Sequence, residues 1–231
     1  MDIINKIFRN MKKELFLEQL IQLDFELQKG YEYLENHEED KAIKIWCEAW
    51  NEMMDYMQKN NLKSFESFNE IFNGRIYIMN WINDFGSNLY CVIENSRNIE
   101  IIKSYGNIRI LLNEQIQNFI EIKDEIGIEN AKRAIAETYF IMGDIEKGEA
   151  LFKSYLEETP EWGWGWIGWS DQYWICKGDE ADFVSGEVLL LKALEVPGLK
   201  DKKDVEDRLL ELYSESEQYE KLQSLKKKIL E

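Results

Sequence analysis

The chain has 231 residues, 45 acidic against 28 basic, for a formal net charge of −17 and a pI near 4.6. Nucleic-acid binders need a basic face to displace counterions from phosphate, and neither half offers one: residues 1–126 carry 14 basic and 22 acidic side chains, residues 127–231 carry 14 and 23. A 45% apolar and 13% aromatic share excludes a disordered acidic tail, and no run of eighteen apolar residues exists to span a membrane.

Only Pro160 and Pro197 interrupt the chain, so helix can run almost throughout. Ile3, Ile4, Ile7, Phe8 and Met11, continued by Leu15, Phe16, Leu20, Leu23 and Leu27, recur at helical spacing and predict one long helix or two joined near Asn10. Basic residues do not dominate its polar face, which favours docking on later helices over a membrane surface. A helix over 39–59 carries Ala42, Ile43, Ile45, Trp46, Ala49, Trp50, Met53 and Met54. Ser64 caps a short helix with Phe65, Phe68 and Phe72 that ends at Asn73-Gly74. Helices over 76–94 and 97–125 follow, the latter closing at Gly127. Shorter ones span 129–142, 144–159, 162–177, 180–196, 202–214 and 216–230. No period-2 run is present, so the fold class is all-α.

Cys47, Cys91 and Cys176 are odd in number and far apart, and His37 is the sole histidine. No four-ligand zinc site can be built from them, and no spaced acidic Ca²⁺ loop occurs. No metal and no cofactor is expected. Reduced thiols and an amphipathic N-terminal segment unlike a signal peptide predict a cytoplasmic protein.

Ala136, Tyr139, Gly148, Phe152, Tyr155 and Pro160 are separated by steps of 3, 9, 4, 3 and 5. Shifting Ala136 by 34 reaches Ser170, with Tyr173 three later. The next step is lengthened by four through Gly178, Asp179, Glu180 and Ala181, and Gly186, Leu190 and Ala193 then resume steps of 4 and 3. Leu210, Tyr213, Leu222, Lys226 and Ile229 form another copy, as do Gly30, Tyr33, Ala42, Trp46 and Ala49. A small residue lets two helices cross closely, a large one fills the next groove, and the nine-residue step crosses a tight turn such as Met142-Gly143-Asp144.

On Ala136, Tyr139, Gly143, Gly148, Phe152 and Pro160, with Trp166 opening the next unit, the sequence resembles tetratricopeptide-repeat (TPR) proteins. Units lie at 23–56, 129–162, 163–199 and 203–231, with irregular helical hairpins over 57–128. The resemblance implies a single helical-repeat domain over 1–231, built as a right-handed α-solenoid of antiparallel helix hairpins. More narrowly, residues 131–152 with 161–174 are similar to bacterial TPR-like proteins that often carry a cysteine-rich zinc tail, the SEC-C motif. Such a tail is not expected here, since no cysteine follows Cys176. In this register Tyr31 and Leu27, then Arg133, Glu137 and Phe140, then Asp171 fall on the concave face.

The segment from Glu161 to Trp169 alternates Trp with Gly. Trp166, Trp169 and Tyr173 are expected in the core, and Trp162 at the helix entry. Trp164 and Trp174 fall on the other stripe. They read either as packing or as an aromatic shelf for a peptide, a methylated cation or a base. Arg133 precedes Glu137 by four residues, which reads as a surface ion pair or, inside an acidic groove, as a clamp for a carboxylate. Ser170 is in no nucleophile elbow and no phosphate-binding glycine loop is present, so no catalytic residue is named and no enzyme is expected.

The expected function is non-enzymatic binding of a protein or peptide carrying basic residues, through Tyr31, Arg133, Glu137, Phe140, Trp164, Asp171 and Trp174. Neither nucleic acid nor membrane is an expected partner. The alternatives are a small-ligand sensor or helical enzyme with a pocket near Trp164 and Trp174, or an acidic decoy that mimics nucleic acid.

Overall fold

A computed structural model describes the backbone of residues 2–119 and 124–230, and the side chains of 17–119 and 124–229. The apolar stripe expected from Ile3 to Phe16 therefore lies outside the described side chains. Among the described residues there are eleven α-helices and no strand. They are α1 (Asp2–Glu35), α2 (Glu39–Lys59), α3 (Phe65–Phe72), α4 (Ile78–Asn95), α5 (Ile99–Phe119), α6 (Glu125–Ile141), α7 (Ile145–Glu158), α8 (Gly163–Trp174), α9 (Phe183–Leu194), α10 (Lys202–Glu215) and α11 (Tyr219–Leu230). The N-terminal segment is one helix without a break at Asn10. Gly127, expected to close a helix, lies inside α6. The chain divides into two compact units, Met1–Asp124 and Glu125–Glu231.

Local chemistry sets the helix ends. Ser64 accepts from the Ser67 amide and Ser67 reaches back to the Ser64 amide, a reciprocal cap on α3. Asn73 ends that helix in the left-handed region, as its short polar side chain allows. Asp144 and Asp182 accept from the amides of Lys147 and Ser185 to cap α7 and α9.

Four hairpins share one turn. In α1–α2, α6–α7 and α10–α11 the residue four after the tyrosine adopts positive φ (His37, Gly143 and Glu217). The next amide then donates to the tyrosine carbonyl: Glu38 to Tyr33, Asp144 to Tyr139 and Gln218 to Tyr213, each at 2.9 Å. In α8–α9 the four extra residues are taken up by a 3-10 turn at Gly178–Glu180, and Asp182 still donates to the Tyr173 carbonyl at 2.9 Å. The insertion lengthens the loop without changing how the second helix starts.

Small residues then bring the helices together. A Cβ on Gly30 would fall 1.9 Å from Nε1 of Trp46, whose indole donates to the Leu27 carbonyl at 3.1 Å. A Cβ on Gly148 would meet the Phe140 ring at 2.4 Å, and one on Gly186 the Trp174 ring at 2.6 Å. Phe140 and Trp174 are one period apart and do the same work in successive hairpins.

In the first unit α1 packs on α2, α2 on α4, α3 on α4, and α4 on α5. Its core is aromatic: Trp46, Trp81, Phe65, Phe68 and Phe85 are essentially inaccessible, and Trp81 stacks on Phe85 with centroids 5.9 Å apart. In the second unit α6 packs on α7 and α8, α8 on α9 and α10, and α10 on α9 and α11. Each first helix thus touches its own partner and the next first helix. Two tyrosines repeat one link between hairpins. Tyr173 on α8 donates to Glu149 on α7, and Tyr213 on α10 donates to Glu187 on α9 at 2.8 Å.

Adding a methyl at a helical glycine ordinarily stabilises by about 0.5–1 kcal/mol. Gly86→Ala, whose new Cβ meets only Leu112 at 3.7 Å, follows that rule. Gly30→Ala reverses it and costs about 1–3 kcal/mol, because the rigid Trp46 indole must move. Urea unfolding of the two variants checks the opposite signs.

Candidate functional site

Tyr173 and Tyr213 face the preceding hairpin, and a residue two before the tyrosine is turned about 200° from it around the helix. That position holds Glu137 on α6, Asp171 on α8 and Glu211 on α10, so the acids recur on the face where first helices meet one another. Two arginines lie among them. Arg133 Nε is 3.3 Å from Glu137 Oε1. Arg208 bridges helices, with Nη1 3.4 Å from Asp171 Oδ2 and Nε 3.4 Å from Glu211 Oε2.

On α8 the residues facing this row are Trp164, Gly168 and Asp171, at helical spacing. Gly168 makes room for the aliphatic stem of Arg133, since a Cβ there would sit 2.6 Å from its Cδ. The guanidinium lies over the Trp164 ring, 5.6 Å from the centroid. Trp164 stays 38% exposed and covers the arginine from solvent on one side. Arg133 is thus held by Glu137, Trp164 and Gly168 together, and the expected ion pair with Glu137 is present.

Asp171 is a strongly perturbed acid of this row. Burial pushes its carboxyl up to about 7, against the pull of Arg208 and Arg133 and with the push of Glu137 and Glu211. Its Oδ2 faces Arg208, while Oδ1 is buried without a hydrogen-bond partner. A carboxyl balanced this way changes charge near neutral pH.

The structure brings Arg133, Glu137, Trp164 and Asp171 together. It corrects the reading of Trp174 as part of an exposed shelf. That indole is 1% exposed, lies against Gly186 and donates to the Ser170 hydroxyl at 3.2 Å. Ser170, itself inaccessible, donates to the Gly186 carbonyl at 3.0 Å and so fixes the ring and the crossing of α8 and α9. Phe140 is half-buried against Gly148, Phe152 and Tyr173, which makes it packing before it is contact surface. Leu27 is fully buried, not concave surface. Tyr31 belongs to the other compact unit, where its hydroxyl donates to Asp84 at 2.6 Å and its ring meets Trp46 edge-on. Trp166 and Trp169, expected in the core, are half-buried and stack on each other at 6.4 Å. The α8 core is instead Ile167, Ser170, Trp174 and the glycines Gly163, Gly165 and Gly168.

Arg208 was not singled out by the spacing, although it is the bridge that ties α10 to Asp171. The usable signal was the recurrence of Glu137, Asp171 and Glu211 two residues before each tyrosine: a buried acid of that row requires a cation nearby. Among the described residues no group of three His, Cys, Asp or Glu side chains is placed to hold a metal ion, and no helix is long and apolar enough to cross a membrane. A scan against protein-family models finds no match for the chain, and a search of curated proteins finds none either.

Free Asp titrates near 3.8 and Asp171 in the fold near 7. Between these values the folded state holds a proton that the unfolded state has released, so stability falls as pH rises from about 4 to 7 and is level above. Asp171→Asn removes this cost. Its stability exceeds the parent's at pH 8 by roughly 1–3 kcal/mol, after discounting for solvent screening and the lost Arg208 contact, and the gap closes towards pH 4. Urea unfolding across this range measures it.

Proposed function

We propose that the chain is a TPR-like helical-repeat protein whose hairpins stack as a right-handed solenoid, and that it binds a protein or peptide segment without chemistry of its own. What supports the stacking is the shared turn of four hairpins, the packing of α6 on α8 and α8 on α10, and the repeated link from tyrosine to the preceding second helix. The observation that carries the function is the row on the first helices. Glu137, Asp171 and Glu211 recur at one repeat position, with Trp164 half-exposed beside them. A surface of stacked helices with regularly spaced charges suits an extended ligand better than a reaction.

The partner segment carries Lys or Arg. The acids of the row outnumber its arginines, and a net charge of −17 steers cations towards every face. Arg133 and Arg208, set among the acids, do not suit a phosphate-like stripe, which weighs against the nucleic-acid decoy. A second reading, a small-ligand sensor, is favoured by one feature: the desolvated Asp171 with its unpartnered Oδ1. A cytoplasmic setting belongs to this proposal and rests on three unpaired cysteines.

Selection from a random peptide display library tests the binding reading. Against the parent protein it enriches Lys- or Arg-containing segments whose capture weakens as salt rises. Trp164→Ala lowers the affinity of those segments by about tenfold, while its melting temperature stays close to the parent's. Failure to enrich any segment, or equal capture by the variant, sinks the reading.

A further inference from the structure

Where its side chains are described, α1 has two apolar faces. Leu20, Leu23 and Leu27 are buried, on the side where α1 packs on α2. Leu17, Ile21 and Phe25 lie at four-residue steps on another face and are 60%, 61% and 58% exposed. Single exposed apolar residues are ordinary, but three large ones in line form a patch of the kind that meets a partner.

α1 has 34 residues against 21 in α2, so its first turns run past the end of α2, where Asp55 and Tyr56 lie near Glu18 and Leu20. Over those first turns the sequence repeats the pattern. Ile3, Ile7 and Met11 stand at the same four-residue steps, 14 residues earlier, and two heptads keep one helix face. The two triplets mirror each other: Ile3 and Phe25, Ile7 and Ile21, Met11 and Leu17 are equally spaced about residue 14. Since α1 is one unbroken helix, the first triplet cannot reach the second within one chain. Two antiparallel copies crossing at residue 14 set each triplet beside the other.

Charge selects the same arrangement. Residues 2–16 hold Lys6, Arg9, Lys12 and Lys13 against Asp2 and Glu14, a net of +2. Residues 17–35 hold Glu18, Asp24, Glu26, Glu32 and Glu35 against Lys29, a net of −4. This order runs against the helix macrodipole, which favours acids at the start and bases at the end. Parallel copies would set like charge on like. Antiparallel copies set the positive end of each along the negative end of the other, with the two dipoles opposed. Glu14 then meets its own copy at the centre, with a lysine next to it in each chain. An anionic lipid surface matches the first segment but is repelled by the second.

We propose that two copies of the chain associate through α1, antiparallel and two-fold symmetric, with residues 3–11 of each along residues 17–25 of the other. Such a contact uses the same surface twice and closes on itself as a dimer.

Sedimentation equilibrium on the full chain tests this. The parent approaches twice the 27.6 kDa of one chain as concentration rises. Ile21→Glu and Ile7→Lys each raise the dissociation constant by about tenfold or more. An equimolar mixture of the two variants recovers the dimer, because antiparallel pairing sets the substituted positions side by side with opposite charge, which parallel pairing does not. Circular dichroism checks folding, and Leu17→Glu with Met11→Lys is the second pair if the first does not fold. The proposal is overturned by a parent that stays monomeric at every concentration, including one that instead captures anionic vesicles. It is equally overturned by a dimer that neither substitution weakens, or by a mixture no more associated than its components. Trp164→Ala, in the other unit, leaves the dimer intact, so this proposal and the peptide-binding row can fail separately.

Discussion

The fold depends on rings lying where a neighbouring helix offers only a hydrogen. Trp46 on Gly30, Phe140 on Gly148 and Trp174 on Gly186 each allow the two helices of a hairpin to approach closely enough for a buried aromatic to serve both. Burying such a ring stabilises by about 2–3 kcal/mol, but only if the facing backbone can come that near. The contact sets the crossing, and the shared turn follows from it: once the helices are that close, the chain must reverse at the same distance past each tyrosine. Even four inserted residues between α8 and α9 are absorbed without moving the amide of Asp182 off the Tyr173 carbonyl.

With crossing and turn set, the direction of every other side chain follows from helical phase. The tyrosine hydroxyl reaches back to a glutamate on the preceding hairpin in both Tyr173 and Tyr213. Residues two positions earlier are then carried to the far side, where successive first helices meet. Glu137, Asp171 and Glu211 arrive there as a consequence of packing, and the arginines among them keep the row from being only repulsive. Asp171, the middle member, has helices on both sides, and burial makes its charge costly. The acidic surplus is unevenly matched elsewhere too: many carboxylates are solvated, while Glu26 is closed in without a counter-ion.

Much of the architecture was legible in local sequence. The bounds of α2 and α3, the caps at Ser64 and Asp144, the left-handed stop at Asn73 and the lengthened loop at Gly178 all follow from a few adjacent residues and their hydrogen-bonding options. Gly127 misled because a lone glycine weakens a helix by only about 1 kcal/mol and neighbours can override it. The site was legible in part. Arg133 with Glu137, and Trp164 on the opposite stripe to Trp166, could be read from spacing.

The aromatic helix α8 marks where that reading stops. A periodic pattern separates a wet face from a dry one only when the residues on the two faces differ, and α8 is apolar and aromatic around most of its circumference. Its sequence determined that it is a helix, that it begins near Trp162, and that it carries rings; it did not determine which rings are covered, and the helix ends at Trp174, three residues before the expected 177. That was decided by the helices arranged around it, which buried Trp174 through Ser170 and Gly186, left Trp164 beside Arg133, and brought Arg208 to Asp171 from a helix thirty-odd residues away. Local hydrogen bonding needs only neighbours along the chain, whereas burial and desolvation depend on every element that closes over a residue.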